Sequence, residues 1–175
     1  CVFVSLLLSG CGLLVGNVRP VDEKSDDIDY LNLTREYPDW KKLTQPQREA
    51  GETQDPEATD QFDVAFQRPS TSSVISLNSA CRPSQRWGDA QDARAQGQKL
   101  REITQQLLLG FSDIQAREER VAKLDGELAL ETTLQGRMTD RTVKIRAVVS
   151  RRSDCVVDLM FIARPDAFAA DEPAF

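Results

Sequence analysis

The sequence predicts an α+β domain, an antiparallel β-sheet of about five strands packed against two helices in the order β-β-α-β-β-β-α. Three observations lead to it. Apolar and polar residues alternate over several short stretches, which is the period of a half-buried strand. One longer stretch, 89–109, carries helical spacing instead. The links between alternating stretches are short, which favours antiparallel neighbours over parallel crossovers.

Phe62, Val64 and Phe66 alternate with polar neighbours and open the first strand. Pro69-Ser70-Thr71-Ser72-Ser73 reads as a turn, and Val74, Ile75 and Leu77 begin a second strand that ends near Asn78-Ser79, so the pair reads as a hairpin. From Asp89 to Leu109 the apolar residues Ala93, Leu100, Ile103 and Leu107 fall three, four or seven apart, and Leu108 widens the stripe. Arg94, Lys99, Arg101 and Glu102 take the other face of this helix, and Gly110 is expected to stop it in a left-handed conformation. Its polar face mixes both signs, so burial against a sheet is expected over membrane binding. Gly97 weakens it by about 1 kcal/mol relative to Ala.

After the helix the period returns to two. Asp125-Gly126 is a turn signal, followed by Leu128, Leu130 and Leu134 in alternation. Val143, Ile145, Ala147 and Val149 alternate again after Gly136 and Asp140. Cys155 to Ala163 is nearly continuously apolar, as expected of a strand covered on both faces. Pro165 opens a last helix with Phe168 and Phe175 facing the core.

The chain divides into residues 1–10, a cleaved signal peptide; 11–60, a lipidated N-terminus and polar tether; and 61–175, the α+β domain. Val2 to Leu8 is a short apolar run, far below the roughly 20 residues a membrane helix needs. The Leu8-Ser9-Gly10-Cys11 box that follows resembles the lipobox of bacterial lipoprotein signal peptides. The resemblance implies a diacylglyceryl group on the Cys11 thiol and cleavage between Gly10 and Cys11. Each buried acyl CH₂ contributes roughly 0.8 kcal/mol, so two or three chains hold a protein on a membrane almost permanently. Gly12 stands where an Asp would favour inner-membrane retention, which points to the outer membrane, facing the periplasm. The alternative is an ordinary cleaved signal in which Cys11 is incidental. Because the chain begins with Cys1 and stops at Phe175 within an element, truncation at both ends is expected.

From Asn17 to about Asp60 the composition is polar and carries Pro20, Pro38, Pro46 and Pro56, the pattern of a spacer. Tyr30, Leu31, Leu33, Tyr37 and Trp40 form an aromatic island within it, expected to dock on the domain; a peptide-like recognition motif is the other reading. Asn32-Leu33-Thr34 matches a glycosylation sequon, accidental beside a bacterial leader.

Composition narrows the chemistry. The chain contains no His, which removes Ser-His-Asp and Cys-His nucleophile pairs and every His-ligated metal site. Lys and Arg number 22 against 28 Asp and Glu, a net charge of -6 that argues against a nucleic-acid partner. Arg146, Arg151 and Arg152 read as a strand end and its turn. Of four cysteines only Cys81 and Cys155 fall in the domain, too few for a structural zinc site. In an oxidising compartment the expectation is a disulfide between them; two free buried thiols or a reactive nucleophile are the alternatives. No catalytic residue, cofactor or metal is expected.

The element order, with the phrases VISLNSACR and CVVDLMFIARPDAF, is similar to the PsbP-like superfamily and resembles a group of small bacterial envelope lipoproteins within it. That resemblance implies a binding or assembly factor, here anchored to the membrane through Cys11 with an envelope protein as partner. One alternative is a carrier of a lipid or small hydrophobic molecule in a cavity lined by Met160, Phe161 and Leu107. Another is an enzyme using carboxylates, with Asp154 and Asp158 on one strand face and Asp113, Asp125 and Asp140 near turns.

Overall fold

The computed structural model describes residues 32–43, 63–81, 93–152 and 155–175. In chain order the elements are α1 (Leu33–Glu36), β1 (Lys41–Lys42), β2 (Val64–Arg68), β3 (Ser73–Cys81), α2 (Ala93–Leu107), β4 (Phe111–Leu124), β5 (Glu127–Met138), β6 (Arg141–Arg152), β7 (Cys155–Ala163) and α3 (Pro165–Asp171). A 3-10 turn, Glu172–Ala174, continues α3. The strands form one seven-stranded sheet in the order β1-β2-β3-β7-β6-β5-β4, antiparallel throughout. The hairpin β2–β3 and the meander β4–β7 are two consecutive runs, joined where β3 pairs with β7.

The α+β class and the antiparallel sheet agree with expectation, but the strand count and order do not. β1 and β4 are additional. β1 is two exposed lysines and has no apolar signature at all. β4 is 14 residues long, yet Ser112 to Val121 are all exposed. A strand uncovered on both faces shows no alternation, because alternation records burial of one face. It is held chiefly by backbone pairing with β5 rather than by burial of a face. The stop of α2 also differs: Gly110 does not have positive φ, and α2 ends through a turn in which Leu108 N–H donates to Thr104 O at 3.1 Å.

Turn chemistry sets the meander. Asp125 (φ 51°) and Gly126 (φ 85°) are both left-handed, the conformation of the two central residues in a type I′ hairpin. At the next turn Thr139 has φ 58°, a conformation that a β-branched residue resists. Thr139→Gly is therefore expected to stabilise the chain by about 1 kcal/mol, read as a higher denaturation midpoint. Near its start β4 slips register against β5 between Ser112 and Ala116, which brings the Ser112 carbonyl and Ile114 over Gly136. A Cβ on Gly136 would sit 2.9 Å from Ser112 O, so only Gly fits that approach.

The sheet is covered on both faces. On one, α2 lies across β5 and β6, with Leu100 against Leu130 and Val149, and Leu108 against Leu134, Ile145 and Met160. On the other, α3 and the 3-10 turn press Phe168 and Phe175 onto Phe161, with ring centroids 4.8 and 5.9 Å away. Trp40, 3% exposed, joins Val64, Phe66 and Ile75 in that second cluster, with Leu33 and Tyr37 packed beside it. The Tyr37 hydroxyl donates to Pro173 O at 2.7 Å. Leu33, Tyr37 and Trp40 thus dock on the domain, as the aromatic island leads one to expect; Tyr30 and Leu31 lie outside the described residues. β7 carries Met160 and Ile162 to the α2 face and Phe161 and Ala163 to the α3 face, which is why it reads as continuously apolar.

Candidate functional site

Among the described residues, three constellations of buried or half-buried polar side chains bear on function. The first pins α3. The Asp171 carboxylate, fully buried, accepts hydrogen bonds from Thr71 Oγ1 and Ser73 Oγ, each at 2.6 Å, and from Arg68 Nη1. Arg68 reaches Asp39 at 3.3 Å with its other terminal nitrogen. One carboxylate thereby links α3, the β2–β3 turn and the segment carrying Trp40. Burial pushes Asp171 up, but the bonds from Ser73, Thr71 and Arg68 and the Arg68 charge outweigh it, so the group lies below the usual carboxylate range.

The second constellation crosses the α3 face of β4, β5 and β6. Glu131 accepts two bonds from Arg120, both at 2.9 Å, and two from Arg146, both at 3.1 Å. Arg146 also donates to Glu172 at 3.1 Å and lies 5.5 Å from the Phe175 ring centre. Lys144 sits 4.4 Å over the Phe168 ring. Arg146 is therefore a mid-strand residue within this network, not the strand end the sequence suggests. Glu131 follows the same logic as Asp171: burial raises it, and bonds and charge from Arg120 and Arg146 bring it below the ordinary value. A carboxylate clamped between two guanidiniums is a poor base and a poor nucleophile; what the arrangement does is hold the 3-10 turn to the sheet.

Both groups contribute stability with one sign. Their folded values are lowered, so the contribution is complete above the ordinary carboxylate range and is lost as pH falls through the lowered folded values. Glu131→Gln and Asp171→Asn are each expected to flatten the loss of stability below about pH 4.5, checked by denaturant unfolding at several pH values.

The third constellation is Asn78 and Asp158, opposite each other on β3 and β7 and buried under the α2 face. Asn78 Nδ2 donates to Asp158 Oδ1 at 2.8 Å. The other member of the expected carboxylate pair, Asp154, lies outside the described residues. Asp125 and Asp140 occupy turns at opposite ends of the 12-residue β5, about 40 Å apart by strand rise. Asp113, in the register slip of β4, lies 3.6 Å from Arg137. The structure does not bring these three acids together. Nor do Met160 and Phe161 line one cavity, since they project to opposite faces of the sheet and each sits in a packed cluster.

Cys81 and Cys155 are direct register partners at the end of the β3–β7 ladder. Cys11 lies outside the described residues. Sequence reading missed Arg68, Asp171, Arg120 and Glu131. Glu131 had a faint signal, an acid in an alternating strand; Arg68 and Asp171 had none.

What remains accessible is β4 itself. Arg117 and Glu119 pair at 2.5 Å on the face that carries α2, and Arg101 of α2 reaches Glu119 at 3.6 Å. Beside them Val121 is 66% exposed and Ile114 44%, with Leu109 in the preceding turn at 81%. Among the described residues, the outer side of β4 has no neighbouring strand in the sheet.

No protein-family model matches the chain, and no curated protein matches it. Among solved structures, the solution structure of cyanobacterial PsbP (CyanoP) from Synechocystis is similar over 77% of this chain and 75% of that one, with 14% identity and a TM-score of 0.46. The crystal structure of a protein of unknown function from Pseudomonas aeruginosa is similar over 77% and 75% as well, with 22% identity and a TM-score of 0.39.

Proposed function

We propose that the chain is a lipid-anchored protein of a bacterial cell envelope whose PsbP-like domain is a non-enzymatic binding module, docking a second envelope protein along β4. The observation that carries the docking surface is the contrast between the two sheet edges. One edge, β1, is two residues long and made of lysines, the usual way to blunt an edge. The other, β4, runs for 14 residues, and among the described residues no strand pairs with its outer side. Backbone N–H and C=O groups at strand spacing suit an extended protein segment, not a lipid or a small molecule. On each face of β4 the sign alternates, Arg117 then Glu119 on one and Glu118 then Arg120 on the other, so the segment that fits carries acid and base in the reciprocal order.

The anchor rests on Leu8-Ser9-Gly10-Cys11, with the lipid on Cys11 and the outer membrane, facing the periplasm, as its site. Among the described residues no helix is long and apolar enough to cross a membrane. The non-enzymatic reading draws on the clamped state of Glu131 and Asp171, and the net charge of -6 disfavours nucleic acid as partner. A disulfide between Cys81 and Cys155 is part of the proposal. Directly opposed residues of an antiparallel pair have Cα atoms roughly 4.5–5.5 Å apart, within the range a disulfide spans. Alkylation followed by non-reducing and reducing gels decides it: a shift on reduction is expected, and unchanged mobility with two alkylated thiols overturns it.

The anchor and the partner are tested together. Cells expressing the chain are labelled with palmitate, and membranes are extracted in mild detergent beside Cys11→Ser. Label on the wild type alone, with one stoichiometric protein retained, is the expected result. Equal labelling of both chains removes the anchor. A defined lipid held by Cys11→Ser without a protein partner makes the domain a carrier.

A further inference from the structure

Asn78 and Asp158 are 2% and 7% exposed, and one hydrogen bond joins them, from Asn78 Nδ2 to Asp158 Oδ1. Asn78 Oδ1 is buried with no hydrogen-bond partner. An acceptor left unmet in the interior is costly. The group set against it is Asp158, a planar fork of the same shape as the amide. An ionised carboxylate offers no donor, but a carboxylic acid offers one O–H. A neutral Asp158 therefore accepts from Asn78 Nδ2 on one oxygen and donates from the other to Asn78 Oδ1, closing a ring of two bonds.

We propose that Asp158 holds a proton shared back to Asn78, so that the β3–β7 seam is closed by two hydrogen bonds in acid and by one, beside a buried charge, at neutral pH. The place matters. Pairing of β3 with β7 is what joins β1–β2–β3 to β7–β6–β5–β4 in the sheet, so one proton acts on the joint between the two halves.

The surroundings favour the neutral form. β6 sets Val149 opposite Asp158, and β7 places Val156 and Met160 on the same face. Asp63, just ahead of β2, adds a like charge. Across the site, the charged residues of α2 sit at its surface: Lys99 pairs with Glu102 at 2.9 Å, Arg101 reaches Glu119, and Arg94 is exposed. Arg151 lies further along β6, opposite Val156. Burial pushes the Asp158 carboxyl up from 3.8 to about 6, the Asn78 bond opposes the rise and the Asp63 charge adds to it.

A folded value above the unfolded one means that the native state binds the proton more tightly. The stabilising contribution is then complete below about pH 4, fades between about 4 and 6, and is absent above. This is opposite in sign to the effect of Glu131 and Asp171. It spans roughly a hundredfold in the folding constant.

Asp158→Asn tests it, because an amide at this position donates to Asn78 Oδ1 and accepts from Nδ2 with no proton to lose. Denaturant unfolding of the full chain and of Asp158→Asn is compared from pH 4 to 8. The variant is expected to be more stable above pH 6, by up to roughly a hundredfold in the folding constant, with the advantage vanishing toward pH 4. The other acids are common to both chains and cancel. A difference that is constant with pH, or a variant less stable at pH 7.5, overturns the proposal. Infrared difference spectra of the two chains give a second readout. A protonated carboxyl band lost between about pH 5 and 7 in the wild type and missing from Asp158→Asn is expected, and identical spectra of the two chains overturn the proposal as well.

Discussion

Phe161→Ala lowers the stability of the full chain by about 4 kcal/mol, the largest effect expected of any single substitution here. Phe161 is 0% exposed on a central strand, with Phe168 at 4.8 Å and Phe175 at 5.9 Å between ring centroids. Its removal costs the transfer of an aromatic ring and leaves a void that the rigid β3–β7–β6 lattice cannot close. The damage is not confined to the sheet, because Phe161 is the surface on which α3 and the 3-10 turn rest. Denaturant unfolding by tryptophan fluorescence reads both consequences, since Trp40 belongs to the same cluster. A loss below about 1.5 kcal/mol would show that the C-terminal segment repacks and that Phe161 is not its foundation.

Asp171→Ala costs about 3 kcal/mol. The carboxylate is fully buried and answers three donors, Arg68, Thr71 and Ser73. Truncation leaves the Ser73 hydroxyl in a fully buried position without its acceptor and Arg68 without its main counter-charge. Arg68 is part-exposed and can turn to water or to Asp39, which keeps the cost below that of a wholly enclosed pair. Asp171→Asn is expected to lose less, since an amide oxygen still accepts from the two hydroxyls. Hydrogen exchange separates a local effect from a global one: amides of α3 and of residues 33–42 lose protection together, because Asp171 ties both to the β2–β3 turn. Loss confined to α3 would mean that the Arg68–Asp39 link has no part in docking the N-terminal segment.

Part of this architecture is legible before any coordinates. Cys155–Ala163 reads as a strand covered on both faces and is one. Val74, Ile75 and Leu77 mark β3, Leu100 and Leu107 mark the buried side of α2, and Pro165 marks the start of α3. Those features are local, and burial writes them into the chain at a fixed period. β4 escapes because it is not buried, and its order comes from backbone bonds to β5 that any side chain allows. The charged pins escape for a different reason. Asp171 meets Ser73, Thr71 and Arg68 across 98 to 103 positions of chain, so no spacing rule connects them. Arg146 is misread because its neighbours Arg151 and Arg152 do end a strand, while Arg146 itself faces Glu131 five positions earlier in that strand. The Cys81–Cys155 pairing is the intermediate case: compartment and count suggest it, and the β3–β7 register sets the two residues opposite each other.

The central claim is that β4 is a docking strand, and site-specific photo-crosslinking in intact cells tests it most directly. A photoreactive residue is placed at Val121 and at Ile114 on β4, and as a control at Lys41 on the blunted edge, with residues 1–11 left unchanged. One discrete adduct is expected from the β4 positions and none from Lys41. Glu118→Lys, at an exposed position of β4 outside the Glu131 clamp, is expected to abolish the adduct without lowering the amount of folded protein. Adducts of equal yield from both edges, or a β4 adduct that survives the charge reversal, would contradict the claim.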